Sequence, residues 1–419
     1  MQRRVFVRSG ALALVTMGLS PSFLRRTAFA TELPRGRKGK VLVCVFQRGA
    51  ADALNVVVPH GERAYYRLRP NIGIARPSAG DPASALDLDG FFGLHPSLTS
   101  LERLYRDGLL APIHAVGSPS ATRSHFDAQD YMESGTPDLK ATRDGWLNRY
   151  LAVSGTCEEC RPTPFRAVAM TAQTPRILDG PAPAVAMSSL GDFSVRATGS
   201  SVDRLEALYR TGSADLVHAS GQEMFEAVKM LKSADPQRYT PRNGAEYPRS
   251  QFGQRLRDIA QLIRAEVGME VAFADVGGWD THVNQGGGTG QLAARLRDFG
   301  DSIGAFVADL GDRMDDVAIL TMSEFGRMAR QNGTGGTDHG HAGAMFVIGS
   351  HVQGGKVHGR WPGLEQEQLY EGRDLALTTD FRAVFSELLG RHLGATDLTR
   401  IFPGYEARRL EWPGMLRES

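Results

Sequence analysis

The chain is poor in cysteine and carries no strong charge of one sign. Three cysteines among 419 residues do not make a disulfide framework. Cys157 and Cys160 enclose Glu158 and Glu159 in a proline-flanked loop. Carboxylates between the sulfurs hold thiolates back, which argues against a redox-active pair. A static loop disulfide of an oxidising compartment fits better, with a two-thiolate half of a metal site as the alternative. Cys44 lies inside the apolar run Val41–Phe46 and reads as a small core residue. A formal charge of +1 gives no electrostatic reason to bind nucleic acid or an anionic membrane surface. There is no GxxxxGK[ST] loop and no GxGxxG turn, and Gly286-Gly287-Gly288 reads as a flexible tip. The missing GxSxG elbow argues against an ordinary serine esterase. No stretch approaches the roughly 18 apolar residues of a stable membrane span. Internal repeats and long low-complexity tracts are also lacking.

What is present begins with an address. Arg3 and Arg4 form a paired-arginine start, the apolar run Ala11–Leu19 follows, and Ala28-Phe29-Ala30 offers small residues for cleavage after Ala30. The expectation is a twin-arginine signal over residues 1–30. A partnership with that export machinery follows, together with a periplasmic or extracellular product that leaves the cytosol folded. Removing 1–30 takes away five arginines and no acids, so +1 less five gives −4 over the remaining 389 residues.

The remainder, 31–419, reads as one α/β domain. Val41–Phe46 is a continuous β-branched run, as in a strand buried on both faces. Leu98, Leu101, Leu104 and Tyr105 mark a helix over 96–107 that ends at Gly108, and Leu109–Val116 reads as the next strand. Phe165–Met170 is a further strand. Residues 172–245 look insert-like, with a helical stretch at Gln222–Lys232. Phe252 to Val267 then predicts a helix, Met269–Asp275 a strand, and Leu292 to Leu310 a long helix with one apolar stripe. Val317–Met322 and Ala344–Gly349 are strands, and Thr379–Leu393 a closing helix. Alternating strands and helices predict a doubly wound, mostly parallel sheet covered on both faces.

Three polar segments flank these strands: Trp279-Asp280-Thr281-His282, Ser323-Glu324-Phe325-Gly326-Arg327 and Asp338-His339-Gly340-His341. Loops at the strand C-termini of a parallel sheet converge on one edge, where ligands bind. Oxygen and nitrogen donors gathered there suit a hard or borderline ion. Asp280 and His282 are two apart, so extended backbone presents both on one face. Glu324, His339 and His341 are further donors, and Arg327 suits an anionic substrate. Asp52 follows the first strand among small residues and is either a ligand or a turn aspartate bonding its own backbone. Ser124, flanked by Arg123 and His125 where a helix opens, is either a nucleophile or a helix N-cap.

With these motifs, and with Asp52-Ala53-Leu54-Asn55-Val56-Val57-Val58-Pro59, Tyr65-Tyr66, Arg69-Pro70 and Ser124-His125-Phe126, the chain resembles an exported bacterial family. That family is the domain of unknown function 1501, within the alkaline phosphatase and sulfatase superfamily, and the match runs from about Val41 to Pro403. The resemblance implies metal at the strand ends, as zinc, calcium, magnesium or manganese, with Ser124 where the nucleophile opens its helix. Asp52, Asp280, His282 and His339 (or His341) then stand as ligands. Glu324 stands where the superfamily usually has Asp, and Phe325 stands where it has a second histidine. The departure at Phe325 implies one metal or an altered pair. The implied activity is hydrolysis of a small anionic ester, sulfate or phosphate. The alternative is a catalytically inactive exported binding or assembly protein, working with another exported protein of unknown function.

Overall fold

The computed structural model describes residues 39–140, 142–154, 163, 165–190 and 238–417. The export segment with Arg3, Arg4 and Ala30, the pair Cys157 and Cys160, and the helix expected at Gln222–Lys232 all lie outside the described residues.

An eight-stranded sheet forms the frame. Its strands in chain order are β1 Val41–Gln47, β2 Leu110–Gly117, β3 Ala167–Ala169, β4 Val185–Ala186, β5 Val271–Val276, β6 Val317–Met322, β7 Gly343–Ile348 and β8 Thr379–Asp380. Across the sheet the order is β8-β2-β7-β6-β1-β5-β3-β4. Every neighbouring pair is parallel except those made by β7, which runs antiparallel to both β2 and β6. The short strand β4 places part of the stretch read as insert-like within the main sheet. Val57–Val58, which continues the segment after β1, belongs instead to a separate three-stranded sheet with Gly93–Leu94 and Leu86–Asp87.

Helices cover both faces. Thr99–Arg106 (α1), Gln251–Arg264 (α4) and Gln291–Leu310 (α5) pack with Val41, Val43 and Val45 on one side. Trp146–Val153 (α3) and Phe381–Glu387 (α6) pack with Leu42, Cys44 and Phe46 on the other, as does Met132 of α2, His125–Ser134. Alternation along β1 sends successive side chains to opposite faces, and since both faces are covered, all seven residues of β1 are buried. The stripe read on α5 is realised: Leu292, Leu296, Phe299, Ile303, Phe306 and Leu310 are each at most 1% exposed. This is a doubly wound α/β fold.

The reversed strand positions a loop at the candidate site. Gly343 at the start of β7 pairs with Val116 near the end of β2. The loop that precedes β7 therefore reaches the edge where the loops following β1, β5 and β6 emerge.

Candidate metal centre

Trp279 sets the position of Asp280. Its indole is fully buried, donates to the Val276 carbonyl at 2.9 Å and packs edge-on against Phe299 of α5. The loop after β1 closes over this turn at Gly49, whose φ is +118°. A Cβ there would stand 2.7 Å from the Asp280 backbone nitrogen, so only glycine allows the approach. The Asp280 side chain projects into the open, 45% exposed, while Arg327 beneath it is sealed. The Arg327 guanidinium donates to the carbonyls of Ala50, Gly49, Trp279 and Thr337 and to Asp280 Oδ1. Burial alone would raise the Asp280 carboxyl, but Arg327 outweighs it and holds the carboxyl below its ordinary value.

Three imidazoles converge on Asp280, and each has its Nδ1 engaged by an oxygen. His125 Nδ1 meets Glu324 Oε1 at 2.7 Å, His282 Nδ1 meets Asp338 Oδ1 at 3.2 Å, and His339 Nδ1 meets the Arg123 carbonyl at 2.9 Å. A carbonyl accepts and cannot donate, so Nδ1 of His339 carries the proton. The two carboxylates assign the same tautomer to His125 and His282. Every Nε2 thus offers a lone pair inward. His339 Nε2 lies 3.0 Å from the Nε2 of both His125 and His282. Asp280 Oδ1 lies 2.9 Å from His282 Nε2 and 3.3 Å from His339 Nε2, and Oδ2 is 3.5 Å from His125 Nε2. Lone pairs so close repel unless a proton or a cation lies between them. Ligands about 2.0–2.2 Å from one ion sit roughly 3 Å apart, so the donor set fits a bound metal. The ligand atoms of His125, Asp280 and His339 all lie within 4.8 Å of one another.

Glu324 stands behind this set. Its side chain is fully buried, and Oε1 accepts from the Gly49 N–H, Gln129 Nε2 and His125 Nδ1. Burial would raise its carboxyl, but the bonds from His125 and Gln129 prevail and lower it. The bond to Glu324 in turn raises the His125 imidazole, whereas burial lowers that of His339. A carboxylate on the far nitrogen of a ligating histidine orients the ring and increases its basicity. Phe325 closes one side, 4% exposed, with its ring centroid 4.9 Å from that of His125 and 5.1 Å from that of His339. It packs with Ala50 and Ala128 as a small apolar wall.

The structure brings together Asp280, His282, His339 and, one shell out, Glu324 and Arg327. Asp52 is engaged elsewhere: fully buried, its Oδ2 accepts from Arg69 Nη1 and Gln285 Nε2, both at 2.6 Å. The same guanidinium reaches Asn55, which also takes the Tyr65 hydroxyl. The Asp52, Asn55, Tyr65 and Arg69 motif is therefore a buried clamp, joined through Gln285 to the hydroxyls of Thr281 and Thr337. His341 stacks on Tyr370, ring centroids 4.2 Å apart. Ser124 caps α2, its Oγ accepting from the Asp127 N–H at 3.5 Å. His125, the first residue of α2, was not read as a ligand. The one signal that could have found it was its place in the Ser124-His125-Phe126 motif.

The fold and the site define an α/β protein with a histidine-rich cluster at one sheet edge that could hold a metal ion. The chain belongs to the family described as "Protein of unknown function (DUF1501)", whose profile matches residues 39–402. A comparison with curated proteins finds no match. Among solved structures it is similar to the C-terminal periplasmic domain of EcEptC from Escherichia coli in complex with Zn. That pair is 12% identical over 77% of this chain and 74% of the other, with a TM-score of 0.30. A protein in the alkaline phosphatase superfamily from Vibrio parahaemolyticus is 10% identical over 78% and 67%, with a TM-score of 0.29. Alkaline phosphatase from the Antarctic bacterium TAB5 is 8% identical over 75% and 93%, also at 0.29. Likenesses this loose carry no argument about activity.

Proposed function

We propose that this protein is an exported, metal-dependent hydrolase of an anionic ester, sulfate or phosphate. The observation that carries the reading is the inward convergence of three Nε2 atoms and the Asp280 carboxylate. His125, His339 and Asp280 would hold the ion, with His282, beside His339 and Asp280, as a further donor. A donor set dominated by nitrogen favours zinc over calcium, magnesium and manganese, which prefer oxygen. The phenyl ring of Phe325, lying against two of the imidazoles, favours one ion. A bound divalent ion would act as a Lewis acid on the ester oxygens. Ser124 is the proposed nucleophile. Its cap bond uses one lone pair and leaves its second lone pair and its hydroxyl proton for chemistry. Arg327 serves by fixing Asp280 rather than by clamping substrate, since its donors are engaged by carbonyls and by Asp280, and its second Nη1 contact is with His282 Nε2 at 3.4 Å.

The test is turnover of aryl sulfates, aryl phosphates and aryl phosphodiesters by the mature protein loaded with zinc or manganese. Activity should be lost on chelation and in Ser124→Ala. No turnover of any ester by either metal form would overturn the reading. A second reading, an inactive binding or assembly protein, is favoured by the cap bond of Ser124. A stable partner that co-purifies, without hydrolysis, would support it. Export itself rests on Arg3 and Arg4. Replacing both with Lys, which lacks the guanidinium geometry, should strand the precursor in the cytosol, and unchanged export would exclude the twin-arginine route.

A further inference from the structure

Resting on the hydrolase reading, we infer that the site selects singly charged esters, sulfate monoesters and phosphodiesters, over doubly charged phosphate monoesters. The argument is one of charge around the ligands. Asp280, Asp338 and Glu324 are carboxylates in direct contact with the imidazoles, and among the described residues Arg327 is the one guanidinium bonded to this set. Three negative charges against one positive leave two negative charges, which a divalent ion cancels. The loaded centre is then close to neutral, and no net positive charge remains at it to offset a dianion.

Three other guanidinium groups near the site are committed to carboxylates. Arg48 pairs with Glu133 and Asp275. Arg123, whose carbonyl holds His339, turns its side chain onto Glu371 and Asp374. Arg373 donates to the His339 carbonyl and pairs with Asp374. Recruiting Arg48 would leave the buried Glu133 without its guanidinium, and recruiting Arg123 or Arg373 would leave the fully buried Asp374 with one guanidinium in place of two, so that exchange is costly. Arg295 differs. It is exposed on α5 and lies over Gly278, two residues before Asp280, close to the Gly277 carbonyl at 3.5 Å. A single rim guanidinium of this kind attracts one negative charge.

Two measurements test this on the zinc-loaded mature protein at pH 8. Calorimetry would compare binding of methyl sulfate and dimethyl phosphate, both monoanions, with methyl phosphate, a dianion. Turnover would be compared for 4-nitrophenyl sulfate, bis(4-nitrophenyl) phosphate and 4-nitrophenyl phosphate. The expected result is at least tenfold tighter binding of a monoanion, with the same order in any kcat/KM observed. Asp338→Asn keeps an oxygen acceptor for His282 but removes one charge, and should narrow the preference severalfold. Equal or tighter binding of the dianion, binding of none of the three, or an Asp338→Asn preference that does not change would each overturn the inference. If no ester is hydrolysed, the hydrolase reading fails while the calorimetry still decides the charge preference.

Discussion

Arg327 and Asp280 form an ion pair in which one partner is wholly enclosed and the other is nearly half exposed. The enclosed guanidinium is bonded to four backbone carbonyls from three segments as well as to the carboxylate. Lysine keeps the charge but cannot reproduce that fork of donors. Arg327→Lys should lower unfolding stability by about 2–4 kcal/mol, as buried carbonyls lose partners. It should also weaken zinc binding at least tenfold by releasing Asp280. Unchanged zinc affinity in a chelator competition would show that Asp280 does not depend on Arg327.

His125→Ala should leave the circular dichroism spectrum unchanged and bring bound zinc from near one equivalent to a small fraction of it. His125 is the first residue of α2, half-buried, with no core contact to lose beyond the Phe325 ring. His341→Ala should retain the metal. A His125→Ala protein with full zinc content would remove His125 from the ligand set.

Glu324→Gln keeps an oxygen for the His125 Nδ1 proton but removes the buried negative charge. Loss of a partner of this kind commonly weakens metal binding by about 10–100-fold. Metal competition at constant pH measures it. A change below threefold would show that Glu324 serves packing alone.

Asp52→Ala separates clamp from ligand. It leaves the Arg69 guanidinium, fully buried, without its carboxylate, and breaking such a pair by removing one member costs about 3–5 kcal/mol. Urea unfolding should show that loss, while the folded fraction keeps its zinc. Retained stability with lost metal would instead make Asp52 a ligand.

Three buried histidines away from the site, His95, His114 and His392, make stability depend on pH, each lowered by burial. His95 and His114 are each lowered to about 4, by burial, against bonds from Nε2 to the Gly287 and Val57 carbonyls that pull the other way. Their Nδ1 atoms accept backbone N–H groups from Ser97 and Ala115, so a proton there would break a bond. Unfolded imidazole titrates near 6.5. Between about 6.5 and 4 the unfolded chain therefore binds more protons, and stability falls as pH falls. Unfolding free energy should drop by up to about 1.4 kcal/mol per pH unit for each histidine across that window. His114→Gln should flatten the slope, and an already flat profile in the parent protein would refute the assignment.

Strand positions were largely legible, because β1 and β6 are continuous apolar runs between breakers and α5 has an unbroken stripe. The direction of β7 was not, since an apolar run reads the same whichever way it lies in a sheet. The segments bearing Asp280, His282, Glu324 and His339 were legible as polar loops at strand ends. His125 was hidden by Ser124, whose capping role already explains a polar residue at that point. The buried clamp at Asp52 was not legible, since its partner Arg69 is 17 residues away and nothing local distinguishes a buried clamp from a ligand. Arg327 looked available because composition cannot show that every donor is already engaged.

The reversal of β7 also bears on when the chain can acquire metal. His339 reaches His125 across 214 residues and His282 across 57, and the loop carrying it is set by a strand that pairs with β2 and β6 at once. Contacts that distant in sequence form late, after the loop-closure entropy has been overcome. A half-assembled sheet would present isolated imidazoles with weak affinity, so tight zinc capture would follow completion of the topology, and the bound ion would serve as a chemical timestamp of a finished fold.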